Sequence, residues 1–178
     1  ELAWALAYHL GKFPEKPQAL LFAKRLATDP EPAIRHAGVI ALVHLHLDGF
    51  REAEHALWTM LGDPDVRVRA RLGKDLQWDD LPESARLKQA LAKDPVAAVR
   101  LKATTGLSVF TDRATRETLF ALTRDADAEV RAEAINEVST IEVDPPDIRE
   151  FLSFIGDPAS VVRAEMACWL GYQDEAIA

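Results

Sequence analysis

One phrase of seven residues, Asp-Pro-x-x-x-[Val/Ile]-Arg, constrains this chain more than any other feature, because it recurs five times in order. The copies are Asp29-Pro30 with Ile34-Arg35, Asp63-Pro64 with Val68-Arg69, Asp94-Pro95 with Val99-Arg100, Asp125-Ala126 with Val130-Arg131, and Asp157-Pro158 with Val162-Arg163. Successive aspartates lie 34, 31, 31 and 32 residues apart, a period in the range of stacked helical repeats. Such a chain is an array of small units that bury their apolar faces against their neighbours. The question for function is then which surface each unit leaves uncovered.

Counted from each aspartate as zero, small or apolar residues fall at plus 5, plus 9 and plus 13. These are Ile34, Gly38 and Leu42; Val68, Leu72 and Leu76; Val99, Ala103 and Leu107; Val130, Ala134 and Val138; Val162, Met166 and Leu170. Steps of four follow one stripe of a helix. The segments before each aspartate, 18–27, 51–61, 84–92, 115–123 and 147–155, also carry a helical pattern, so each repeat is read as a helical pair. The aspartate is expected to N-cap the second helix, with the proline in its first turn. Gly62 and Gly156 are expected to release the backbone where the first helix ends, and Pro14, Pro17, Pro82, Pro145 and Pro146 to mark the connections between pairs.

No linker interrupts the pattern, which predicts one domain over residues 1–178. Residues 1–12, with Leu2, Leu6 and Leu10 at the stripe spacing, read as the second helix of a further repeat. Leu170-Gly171-Tyr172 parallels Leu47-Asp48-Gly49-Phe50 and predicts that the last helix stops there and a new one begins. Neither end carries a polar cap, so the chain is expected to be a segment of a longer solenoid.

The phrase Leu61-Gly62-Asp63-Pro64-Asp65-Val66-Arg67-Val68-Arg69-Ala70 and its four companions resemble HEAT repeats. More narrowly they resemble the short bacterial kind first noted in phycobilisome lyases, and the likeness spans nearly all of residues 1–178. It implies an all-α fold, an α-solenoid (α-α superhelix) of about five HEAT-like helical hairpins plus partial repeats at both ends. The stack is right-handed in this family, and second helices line its concave side. It also implies that Asp29, Asp63, Asp94, Asp125 and Asp157 join Arg35, Arg69, Arg100, Arg131 and Arg163 in a polar ladder between repeats. The family includes scaffolds, transport factors, lyase chaperones and a few DNA glycosylases, so the fold names no activity.

Composition narrows the classes. The net charge of -8 weighs against a general binder of nucleic acid or anionic membrane, which draws its affinity from Lys and Arg. Cys168 is the single cysteine and cannot form an internal disulfide, which fits a reducing, cytoplasmic setting. No apolar run is long enough to span a membrane.

The positions expected to face the groove are plus 8, plus 11, plus 12 and plus 15. They read Ala37, Ile40, Ala41 and His44; Arg71, Lys74, Asp75 and Trp78; Lys102, Thr105, Gly106 and Val109; Glu133, Asn136, Glu137 and Thr140; Glu165, Cys168, Trp169 and Tyr172. Among these, Arg71, Lys74, Trp78, Lys102, Glu133, Asn136, Glu137, Trp169 and Tyr172 are the candidate partner-binding residues. Trp78, Trp169 and Tyr172 are the expected aromatic anchors. Arg71, Lys74 and Lys102 beside Trp78 also suggest a nucleic-acid groove, with Asp75, Asp79 and Asp80 as conceivable glycosylase carboxylates, yet the same acids cancel the positive charge.

Other chemistry is weakly signalled. His44 and His46 are two apart on a helix and point away from each other, so they do not make a shared metal site. Asp125-x-Asp127-x-Glu129 opens like a calcium loop but has Val130 and Asn136 where glycine and a bidentate acid are needed. Cys168 has no histidine nearby, and no nucleophile elbow or phosphate loop is present. The sequence therefore points to a non-catalytic scaffold or regulatory module that binds another protein, with no cofactor. An accessory module that positions a substrate or cofactor for a lyase-like enzyme is the alternative, followed by a DNA-binding or glycosylase-like array.

Overall fold

The computed structural model describes residues 15–78, 80–141 and 145–177, without the side chains of residues 78, 145–148 and 172–177. The described residues form ten α-helices and no strand. In chain order these are α1 (Lys16–Ala27), α2 (Pro32–Leu47), α3 (Glu52–Met60), α4 (Val66–Asp75), α5 (Pro82–Leu91), α6 (Ala97–Thr104), α7 (Arg113–Leu122), α8 (Ala128–Ser139), α9 (Pro145–Leu152) and α10 (Ser160–Ile177). Short 3-10 turns follow at Leu76–Trp78, Leu107–Val109 and Ser153–Gly156. The odd-numbered helices are the first members of the five pairs and the even-numbered ones the second. The expected helix at residues 1–12 lies outside the described residues.

The chain divides into two compact units, Glu1–Ala103 and Thr104–Ala178. In the first unit, α1 packs on α2, α2 on α4, and α3 on α5. First helices thus stack on first helices and second on second, giving two layers with the core between them. In the second unit α7 packs on α8, α8 on α10, and the turn at Ser153–Gly156 against α10.

The apolar stripe explains this stacking. Val68, Leu72, Leu76, Val99, Ala103, Leu107, Val130, Ala134 and Val138 are all 0% exposed. Fully burying a side chain such as leucine contributes about 1.5–3 kcal/mol, so this stripe outweighs any single polar contact. Ile34 departs from it and is 38% exposed. Gly38 sits where its neighbours carry larger residues, because α1 comes so close that a Cβ there would stand 2.4 Å from the backbone nitrogen of Ala27.

The motif aspartate is not the N-cap, which corrects the sequence reading. Asp29, Asp63, Asp94, Asp125 and Asp157 each accept the backbone N–H two residues on, from Glu31, Asp65, Val96, Asp127 and Ala159, all at 2.8 Å. The helix starts three residues after the aspartate in every copy. Asp65 and Asp127 do the capping in their repeats, Asp65 accepting from the Arg67 N–H at 2.8 Å and Asp127 from Glu129 and Val130. At Asp63, Asp94 and Asp157 the arginine of the preceding repeat also holds the motif carboxylate.

That arginine forms the polar ladder. Arg35 reaches Asp63 through two bonds of 2.7 and 2.9 Å, Arg69 reaches Asp94 at 2.6 and 3.2 Å, and Arg131 reaches Asp157 at 3.0 and 2.9 Å. Each arginine's remaining nitrogen donates to the carbonyl of its own repeat's aspartate, as in Arg69 to Asp63 at 2.6 Å. The guanidinium fork therefore ties the start of one second helix to the next repeat's turn. Burial pushes the Asp63 and Asp94 carboxyls up, but the hydrogen bonds from Arg35 and Arg69 and from the backbone outweigh it, leaving both below the ordinary carboxylate value. Asp157 is lowered chiefly by its bond from Arg131.

Two termination signals also differ from expectation. Gly49 and Gly106 take the left-handed conformation, with φ of 81° and 76°, whereas Gly62 and Gly156 do not. The expected stop near Gly171 is absent, and α10 continues to Ile177. No proline follows Gly171, and Tyr172 to Ile177 contain no residue that excludes a helix.

Candidate functional site

The outward surface of the second helices follows from the stripe itself. At about 100° per residue, plus 11 lies about 160° from the centre of the plus 5, plus 9 and plus 13 stripe, while plus 12 lies only about 60° from it. Plus 11 is the outermost column and plus 12 belongs near the core. The structure agrees in part: Lys74, Asn136 and Cys168 at plus 11 are exposed and Ala41, Glu137 and Trp169 at plus 12 are buried, but Ile40 at plus 11 is buried and Asp75 at plus 12 is half-buried.

This corrects several expected groove residues. Trp169 is 5% exposed and packs edge-on against Phe151, with ring centroids 5.4 Å apart. It anchors α10 on the α9 side of its own repeat. Glu137 is 7% exposed and accepts from the backbone N–H groups of Gly106 and Ser108 at 2.5 and 3.0 Å, and from the Ser108 hydroxyl at 2.6 Å. Its carboxylate holds the left-handed turn at Gly106. Ala37, Ile40 and Ala41 are buried as well. Glu133 is half-buried and Asn136 exposed on α8. The side chains of Trp78 and Tyr172 lie outside the described residues.

Arg71 and Lys74 come together around a cleft of about 360 Å³ between the C-terminal halves of α2 and α4. Ile40, Val43 and Leu47 give it an apolar floor, while His44, Arg71, Lys74, Asp75 and Gln77 complete its lining. Leu47 is 37% exposed. Arg71 donates to Asp75 one turn on, at 2.5 Å, so its charge is largely spent within α4. Burial, then the nearby Arg71 charge, holds His36 below the ordinary histidine value. Lys74 is exposed at the rim, and Lys102 is exposed on α6. α6 meets α4 at Gly73, where an added Cβ would be 3.0 Å from the Ala103 nitrogen.

A buried polar group of the same unit went unread in the sequence. His46 Nε2 and Ser84 Oγ are 3.0 Å apart in the interior, and the fully buried Lys88 donates to the Gly73 carbonyl at 3.1 Å. Ser84 and Lys88 are four apart on α5, the spacing of one helix face, but in a single sequence that pairing is indistinguishable from a solvated face. Asp125 and Asp127 commit their carboxylates to backbone N–H groups, so the calcium-like spacing marks a turn and a cap.

Comparison with known proteins places this geometry. The HEAT-repeat family model matches residues 84–171. A designed armadillo repeat protein in complex with the peptide (KR)4 superposes with a TM-score of 0.60 at 13% identity, over 95% of this chain and 90% of that one. A computationally designed armadillo repeat protein for modular peptide recognition gives 0.58 at 13% identity, over 95% and 90%, and an engineered protein gives 0.58 at 17% identity, over 95% and 87%. At these identities the likeness shows the fold alone. No curated protein matches the chain in sequence. The chain is a helical repeat solenoid, with HEAT repeats matched over residues 84–171.

Proposed function

We propose that the chain is a non-catalytic protein-interaction module that holds a segment of a partner protein against its second-helix face. The observation that carries this reading is the α2–α4 cleft, an apolar floor with a charged rim that opens on the outward columns of the array. Its volume lies near the lower end of ligand pockets, about 300–1,000 Å³, which suits one or two side chains of a peptide. Arrays of the same fold include designed proteins described as binding a (KR)4 peptide or as made for modular peptide recognition, which supports a peptide as occupant. The basic trio is weak support for nucleic acid, because Arg71 is engaged by Asp75. We read the repeats as the short bacterial kind and the setting as cytoplasmic, which fits an exposed thiol at Cys168.

The test is selection of random peptides displayed on phage against the 178-residue chain, followed by rebinding to a Leu47→Asp variant. Leu47 is exposed enough to change without opening the core. Enriched peptides should lose at least tenfold in affinity for the variant. No enrichment, or enriched peptides indifferent to Leu47→Asp, counts against the module or against this cleft.

A further inference from the structure

We propose that the occupant of the α2–α4 cleft is an acidic peptide, an extended segment that seats one apolar side chain on Ile40, Val43 and Leu47 and sets carboxylates against Lys74 and Lys102. The proposal rests on the reading of this face as a peptide-binding surface and adds the chemistry of the peptide.

Charge complementarity carries it. Among the described residues the cleft is lined by one carboxylate, Asp75, and Arg71 already holds it. The remaining cation on α4, Lys74, is exposed and has no carboxylate partner among the described residues, and Lys102 on α6 is in the same position. The Lys74 ammonium facing solvent beside the apolar floor, with Lys102 on the next second helix, disfavours a basic segment, and a neutral one would leave both cations unmatched.

Spacing adds a constraint on the partner. α4 and α6 approach closely at Gly73, where an added Cβ would stand 3.1 Å from the Lys102 carbonyl carbon, so Lys102 lies beside the residue that precedes Lys74. An extended peptide advances about 3.3 Å per residue. Two carboxylates a few residues apart on such a peptide reach the two lysines, with the apolar residue on the α2 side of the first carboxylate.

Fluorescence polarisation with labelled nonapeptides tests this on the 178-residue chain. One probe carries a leucine and two glutamates three residues apart; the others replace both glutamates by glutamine, both by lysine, or the leucine by alanine. The acidic leucine probe should bind tightest and weaken as salt rises from roughly 50 to roughly 300 mM. Lys74→Gln with Lys102→Gln should weaken it about tenfold, and Lys74→Glu with Lys102→Glu should shift the preference to the lysine probe. If the glutamine or lysine probe binds the unaltered chain as tightly, or the double glutamine variant binds unchanged, the charge assignment is wrong. Binding of those probes that still needs Leu47 would overturn this inference alone, while failure of all four to bind would overturn the acidic peptide and, together with an empty phage selection, the peptide-binding reading itself.

Discussion

At the scale of single residues, the side chains with the largest consequences are those whose partners come from another helix. Asp94 joins Arg69 and the Val96 N–H in one site, and its side chain is 6% exposed. Replacing it by alanine leaves the Arg69 guanidinium without its carboxylate partner, at a cost of about 2 kcal/mol, measurable as a lower urea midpoint with an unchanged slope. Trp169 was legible as an outward aromatic only while plus 12 was taken as a groove column; its contact with Phe151 makes it core. Trp169→Ala should destabilise the chain by about 3–5 kcal/mol, seen as a fall in Tm of the unit that contains α10. The arginine ladder between repeats was implied by the family resemblance, whereas the expectation that the same aspartates cap their helices came from local spacing and did not hold.

At the scale of helices, five repeats begin their second helix three residues after the aspartate, and the regularity comes from one turn geometry used five times. The interior of the motif fixes where a helix starts, whereas its neighbours fix how near another helix may come. Gly38 shows the second point: α1 occupies the space of its missing side chain. Gly38→Ala would force α1 from α2 and should cost about 1–3 kcal/mol, with amide exchange in α1 accelerating before the rest of its unit. The signal for this was one glycine at plus 9, but nothing local distinguishes a tight contact from a tolerated gap. Glu137 is similar, since the turn it holds at Gly106 and Ser108 lies about one repeat earlier in the chain.

At the scale of the whole molecule, charge is unevenly divided. Residues 1–103 hold 15 Lys and Arg against 14 Asp and Glu, and residues 104–178 hold 6 against 15, so the net charge of -8 arises from the second unit, at -9 against +1. An acidic total therefore says little about the cleft, which lies in the near-neutral unit. Acid sensitivity is a property of the ladder throughout. Asp63, Asp94 and Asp157 titrate below their ordinary value when folded, so between the folded and unfolded values the unfolded chain binds more protons. Their stabilisation is complete above about pH 4 and is lost as pH falls through the depressed values. Urea midpoints at pH 7, 5 and 3 should be similar at the first two and lower at the third, and Asp94→Asn should flatten that drop.

The sequence alone determined the repeat, its period, the helical pairs and the stripe that is buried, because each depends on residues within about thirty positions and on the 3.6-residue turn. Only the tertiary structure decided how far each of the remaining positions faces solvent, since Ile40 at plus 11 is buried while Lys74 at the same position is exposed. The partner at plus 12 comes from another element, as Phe151 of the paired helix does for Trp169 and the Gly106 turn of the preceding repeat does for Glu137. Likewise the cleft needs α2 and α4 side by side, and the accounting of its charges depends on Arg71 choosing Asp75. Periodicity carries angular position around one helix, and a binding surface is set by distances between several.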